Sequence, residues 1–205
     1  MEAPTDIAAQ LAVYREETEA RCARLKRTDT IKGLFINCYL RAWEAQGGRS
    51  LVDRCLAALG EAAVHDLYGY PYASLLRMGL VGAAALAARA GGVAPFLRQT
   101  GRQATAGYLG SPLGKAFLAL LPQRPRSIIG LMPWAIRTTF TFGERVMRFD
   151  GPTHGVFSCR FDYSPAVANA GAVEAALLAA GAKAAAVAIE RFDLFNFDLL
   201  VRWEE

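Results

Sequence analysis

The sequence predicts an α+β domain, an N-terminal helical bundle followed by a four-stranded antiparallel sheet in the order strand-strand-helix-strand-strand. Three observations predict it. In residues 157–163, Phe157, Cys159, Phe161 and Tyr163 alternate with Ser158, Arg160 and Asp162, the period of a half-buried strand. The closing stretch repeats the pattern, with Phe195, Phe197, Leu199, Val201 and Trp203 alternating with Asn196, Asp198 and Arg202. Upstream of Thr138 the apolar residues instead recur at helical spacing, and helices followed by a small sheet is the α+β arrangement.

Residues 5–27 predict an amphipathic helix capped by Thr5 or Asp6, with a narrow stripe of Ile7, Leu11, Tyr14, Thr18 and Cys22 or Leu25. This helix is expected to be an extension (1–27) appended to a single domain (28–205), packing late or meeting a partner. Thr28 or Asp29 caps a second helix carrying Ile31, Leu34, Phe35, Cys38 and Trp43, and Gly47-Gly48 ends it. A third helix is expected over 50–66, followed by the aromatic loop Tyr68-Gly-Tyr-Pro-Tyr72. Residues 72–90 predict a buried helix closed by Gly91-Gly92, and Pro95 suits the first turn of the next, which runs to about Leu109. Ser111-Pro112 opens another that stops before Pro122. With Pro125 and Pro133, residues 123–133 are expected to be irregular or one short turn, and Trp134 to Ile136 lead into the sheet.

Thr138 to Tyr163 predicts a hairpin turning at Asp150-Gly151-Pro152. Its first strand starts with Phe140 and Phe142 on one face, but Met147 and Phe149 have the opposite parity. A bulge at Gly143 would reconcile the halves, with Glu144 and Arg145 holding the bend by pairing with helix charges. Ser164-Pro165 then caps an alanine-rich helix over 165–180, stopped by Gly181, whose small residues allow close approach to a sheet. Strands follow at 184–190 and 195–203.

A chain of 205 residues suffices for a full core without staples. The net charge of +4 is spread along the chain, which argues for an ordinary surface and against nucleic-acid binding. Cys22, Cys38, Cys55 and Cys159 are far apart, without the close pairs of metal clusters, so free thiols and a cytoplasmic location are expected. The N-terminus is acidic and polar, unlike a signal peptide. The uncharged run Met78 to Ala88 falls short of the ~20 residues that span a bilayer, so no membrane span is expected.

Chemistry is sparse. Gly110 to Lys115 (GSPLGK) has one residue too few between its glycines for a phosphate loop, and Ala116 stands where a hydroxyl is needed. There are two histidines: His154 in the hairpin turn and His65 beside Asp66, more simply structural than catalytic. No nucleophile elbow, His-Glu-x-x-His or dinucleotide fingerprint occurs, and enzymatic activity is not expected. The remaining signal is aromatic. Phe35, Tyr39, Tyr68, Tyr70, Tyr72 and Trp134 either line an apolar pocket between helices and sheet or are simply core.

The segments TIKGLFINCYLRA, YGYPYASLLRM, residues 108–165 (YLGSPLGK through CRFDYSP) and the closing strands resemble a myxobacterial paralogous family of uncharacterised proteins. The resemblance covers 28–203, and Phe142-Gly-Glu-Arg145 is its most specific part. That family is distantly similar to the haem nitric-oxide/oxygen-binding (H-NOX) domain, the 4-vinyl-reductase-type domain and the TRAPP tethering subunits. The resemblance implies a ligand cavity between helices and sheet, or a dimerising scaffold. H-NOX members carry an axial histidine on the helix matching 111–121, where this chain has none, with Lys115 and Phe117 near the equivalent place. Their Tyr-x-Ser-x-Arg clamp matches Tyr163-Ser164-Pro165-Ala166-Val167, which lacks the arginine, and the Cys/His cluster of the 4-vinyl-reductase type is absent too. The expectation is therefore a non-enzymatic domain that binds an apolar small molecule, with no cofactor and haem judged unlikely. Its pocket would be Phe35, Tyr39, His65, Tyr68, Tyr70, Tyr72 and Trp134, with Tyr39, His65 and Tyr68 as polar contacts. A TRAPP-type interaction scaffold is the alternative, and an enzyme using His65 a weaker one; a homodimer or a protein partner is expected.

Overall fold

Among the described residues helices predominate as far as Arg137 and a four-stranded antiparallel sheet follows, as the α+β expectation requires; the computed structural model describes residues 6–119 and 124–205. Helix α1 (Ile7–Arg24) is capped by Asp6, whose Oδ1 accepts from the Ala9 N–H at 3.1 Å; Thr5 lies outside the described residues. The helix packs on α4 (Tyr72–Ala90) through Tyr14, and Glu17 bridges Arg21 at 3.1 Å and Arg191 at 2.8 Å.

Two short strands interrupt the expected helix-to-helix run. β1 (Thr30–Lys32) pairs antiparallel with β2 (Gly69–Pro71), setting Ile31 opposite Tyr70. Ile31 is therefore a strand residue, fully buried, and α2 (Gly33–Gly47) starts only at Gly33. A Cβ at Gly33 would overlap the His65 carbonyl, so the strand pair needs glycine there. α3 (Arg49–Leu59) stops seven residues earlier than expected because Gly60, at φ 82°, takes the left-handed cap conformation. His65 is consequently in a loop and exposed, not on a helix.

α4 is long and apolar enough to cross a membrane by length and composition alone, and its buried face packs into the helical core through Leu75, Leu76, Met78 and Leu86. α5 (Val93–Gly110) and α6 (Pro112–Ala119) follow; the expected end of α6 before Pro122 lies outside the described residues. Where irregular chain was expected, α7 runs from Pro125 to Arg137. Pro125 occupies the first turn, where no N–H is needed, and the helix tolerates Pro133 in its interior.

The sheet comprises β3 (Glu144–Phe149), β4 (His154–Arg160), β5 (Ala184–Arg191) and β6 (Phe197–Glu204), all antiparallel, in the order β3-β4-β6-β5. Phe140 and Phe142 precede it, Phe140 bridging to Ile31. The β3–β4 ladder is regular from Glu144 opposite Arg160 to Phe149 opposite Gly155. The parity change thus comes from Gly143, left-handed at φ 76° ahead of the strand, and not from a bulge within the ladder. A second change was not foreseen: Phe161 sits at φ 51°, which leaves its ring 60% exposed and turns Asp162 wholly inward.

Helix α8 (Ala166–Ala179) lies between α5 and the sheet. A Cβ on Gly101 would overlap the Ala168 carbonyl, and one on Gly171 the Arg98 carbonyl, so α5 and α8 touch backbone to backbone. The small residues of α8 thus serve contact with a helix as much as with the sheet. On its other side Val173 and Leu177 join Phe157, Phe197, Leu199, Val201 and Ile129 in the second core. Glu174, buried between the layers, takes hydrogen bonds from Arg98 Nε at 3.1 Å and Arg102 Nε at 2.6 Å.

Candidate functional site

Between α2, α5, α6, α7 and α8 the packing leaves a cavity of about 110 Å³. Its existence follows from side-chain size on α8, where Ala168, Ala172 and Ala176, four residues apart on one face, present only methyl groups. The facing helices supply rings. Phe35 and Tyr39, one turn apart on α2, and Tyr108 on α5 line the wall, with Phe35 stacked on Tyr108 at 4.7 Å. Phe117 and Met132 line the side formed by α6 and α7, and Tyr72, Phe140, Arg145 and Ser164 also face the space.

Arg145 is the one charged group lining the cavity among the described residues, and it is already engaged. Its Nη2 lies 2.7 Å from Asp162 Oδ2, its Nη1 donates to the Phe142 carbonyl at 2.9 Å, and Phe140 and Phe142 flank the guanidinium. The Tyr72 hydroxyl donates to Ser164 Oγ at 2.7 Å. Burial pushes the pKa values of Tyr39 and Tyr72 well above the usual phenol value, so both stay neutral. Both also line a smaller space of about 40 Å³ toward Tyr14 and Trp43.

Of the side chains expected to form a pocket, Phe35, Tyr39 and Tyr72 meet on this wall. Tyr70 is buried on β2, its hydroxyl accepting from the His65 N–H at 2.8 Å, and stays away from the cavity. Tyr68 is 65% exposed, its ring 5.2 Å from that of His65. Trp134, 53% exposed, lies against the outside of Phe117 with ring centroids 6.2 Å apart. The lining residues Thr105, Tyr108, Phe117, Met132, Phe140 and Arg145 were not anticipated. The signal was available in the three alanines at four-residue spacing, opposite an α5 face that places Thr105 and Tyr108 together.

Among solved structures the fold is similar to that of H-NOX proteins. The unliganded Fe(II) H-NOX protein from K. algicida aligns with TM-score 0.68 and 12% identity, over 85% of this chain and 97% of its own. The S. oneidensis H-NOX protein in its Fe(II)NO ligation state gives 0.67 and 10%, over 85% and 100%. A third structure, concerned with haem distortion in the H-NOX family, gives 0.62 and 12%, over 85% and 96%.

These neighbours correct the expectation of a cofactor-free domain for which haem is unlikely, because the fold is that of haem-containing H-NOX proteins. The missing histidine on 111–121 and the missing arginine after Tyr163 bear only on one way of holding the group. Met132 lines the cavity, and a thioether is a haem-iron ligand type, whereas burial disfavours the phenolate form in which Tyr39, Tyr72 or Tyr108 would bind iron. The space, about 110 Å³, is below the roughly 300–1,000 Å³ of pockets for larger ligands. The helices around it would have to move apart to admit a macrocycle.

Comparison with curated proteins finds no match. A family model matches residues 24–204, nearly all of the described fold, and by that match the chain belongs to the family described as "Protein of unknown function (DUF2378)".

Proposed function

We propose that this is a cytoplasmic small-molecule-binding domain of a sensory kind, acting by binding and not by catalysis, with its ligand in the cavity against α8. The observation that carries the proposal is the cavity itself. Protein interiors are close-packed, yet here methyl-only positions on one helix face a wall of rings. An engineered apolar cavity of about 150 Å³ takes up benzene or xenon, so a space of about 110 Å³ suits a small apolar molecule. The H-NOX likeness supports small-molecule binding, since one neighbour is in an Fe(II)NO ligation state. The four cysteines are free thiols, which supports a reducing compartment. Both histidines are exposed and away from the cavity lining, which supports binding without catalysis.

The test is native mass spectrometry and an absorbance spectrum of freshly purified protein, followed by titration with benzene and, separately, with haem. The expected result is a bound small molecule, or a saturable rise in Tm with one of the probes. A bare polypeptide mass with no response to either probe would overturn the proposal.

A further inference from the structure

Helix α1 has a seat shaped for it on the rest of the fold. A Cβ on Gly79 of α4 would come 3.0 Å from the Tyr14 hydroxyl, and one on Gly92 would come 2.9 Å from Gln10 Oε1. Gln10 Oε1 also accepts from the Val93 N–H at 2.9 Å, at the start of α5. Glu17 reaches Arg191 at the end of β5 at 2.8 Å, and Arg24 lies over the Phe195 ring at 4.7 Å. The helix thus bridges α4, α5 and the β5–β6 connection.

Its packed face is nevertheless poorly satisfied. Three buried side-chain polar atoms lack a hydrogen-bond partner among the described residues, and two of them, Thr18 Oγ1 and Arg21 Nε, are on α1. Thr18 is 1% and Arg21 2% exposed, and the ion pair of Arg21 is with Glu17 of the same helix. Each such orphaned group costs about 1–3 kcal/mol, which offsets the apolar contact made by Ile7, Leu11 and Tyr14. An element held in this way opens locally before the whole chain unfolds.

Tyr14 also bounds the smaller space of about 40 Å³, the one residue of α1 to do so. That space backs onto the main cavity, since Tyr39, Tyr72, Pro165 and Ala168 line both. The ring of Tyr14 is therefore the end wall of the combined site.

We propose that α1 is a releasable strap whose Tyr14 sets the length of ligand the site takes, an inference that rests on the binding function proposed above. With α1 docked, the site takes a compact molecule. A molecule with an alkyl tail gains room only as Tyr14 leaves, so tail binding and strap docking oppose each other. The coupling is reciprocal: whatever loosens α1 raises affinity for the tailed molecule, and that molecule loosens α1.

The experiment is hydrogen exchange of the full chain read by mass spectrometry, with titrations of benzene and n-butylbenzene. The α1 amides are expected to exchange at least about tenfold faster than those of α2, α4 and α5. They exchange faster still with n-butylbenzene, but not with benzene. Tyr14→Ala is expected to tighten n-butylbenzene at least about tenfold relative to benzene. Arg191→Ala, which leaves every cavity residue in place, is expected to speed α1 exchange alone and to shift the same ratio in the same direction. It gives that reading even if Tyr14→Ala loses its fold. Three results each overturn the proposal: α1 exchange as slow as that of α2, α4 and α5, n-butylbenzene bound with α1 exchange unchanged, or a ratio unmoved in the folded variants. Binding of neither probe by wild type or by the variants instead overturns the binding function, and this inference with it.

Discussion

Arg145 and Asp162 form an ion pair that solvent does not reach: Nη2 and Oδ2 are 2.7 Å apart, and the side chains are 1% and 0% exposed. Asp162 Oδ1 also accepts from the Ser164 N–H at 2.9 Å, and Ser164 Oγ in turn accepts from Tyr72. One connected set of polar groups therefore ties β3, the turn after β4, the start of α4 and the entry to α8 around the cavity. The bend at Gly143 was expected to be held by Glu144 and Arg145 against helix charges. Arg145 does hold it, but against Asp162 in the turn after β4, while Glu144 is exposed.

Breaking this pair leaves one charge buried without a partner, which costs about 3–5 kcal/mol, whereas replacing both partners with apolar residues is often near neutral. Asp162→Asn is expected to fall in the costly range in urea unfolding, and Arg145→Met/Asp162→Leu to recover much of the loss. A single substitution costing no more than the double would show that the pair is not what stabilises the bend.

The crossing of α5 and α8 admits no extra carbon at Gly101 or Gly171. Gly→Ala in a helix interior ordinarily gains up to about 1 kcal/mol. Here the overlap is with backbone carbonyls, which cannot rotate away, and overpacking costs about 1–3 kcal/mol. Gly101→Ala and Gly171→Ala are each expected to lower Tm, the reverse of the helix-propensity order. A rise in Tm for either would mean that the helices separate without cost.

The sheet was legible because period-two alternation is written in adjacent residues. Phe157, Cys159, Phe197, Leu199, Val201 and Trp203 all face inward as the sequence implies. The pairing of Ile31 with Tyr70 was not legible, because three-residue strands carry no periodicity and are fixed only by a partner far along the chain. The same limit divided the site. Phe35 and Tyr39 fall on one helix face and could be grouped by spacing, but Tyr68, Tyr70 and Tyr72 share only a neighbourhood in sequence. Of those three, Tyr72 alone begins a helix that turns its ring to the cavity. The haem expectation failed for a related reason: a motif comparison tests named positions, whereas a fold can persist at 12% identity without them.

Alkaline titration should be visible in stability. Burial raises Tyr14 from its ordinary 10.0 to about 12, and raises Tyr39 and Tyr72 in the same direction. The folded state then holds these protons more tightly than the unfolded state. The stability they contribute is fully present below pH 10.0 and is lost as pH rises through the folded values. Unfolding free energy is expected to fall steeply from about pH 10 upward, with tyrosinate absorbance rising together with unfolding. Tyrosinate formation at pH 10 in a still-folded protein, from all seven tyrosines at once, would contradict this burial.

The cavity makes a sharper demand than the aromatic composition did. Ala172 lines it at the middle of the methyl face of α8, so Ala172→Leu extends a side chain into the space that a ligand would use. The added carbons bury at about 0.8 kcal/mol each, which offsets strain and leaves Tm near wild type. Benzene or haem, whichever the wild type binds, should lose at least about tenfold in affinity, roughly 1.4 kcal/mol. Trp134→Ala and Tyr68→Phe, at aromatic positions outside the wall, should bind as wild type does. The opposite pattern, with Ala172→Leu binding normally and Trp134→Ala not, would move the site from the cavity to the exposed surface of α7.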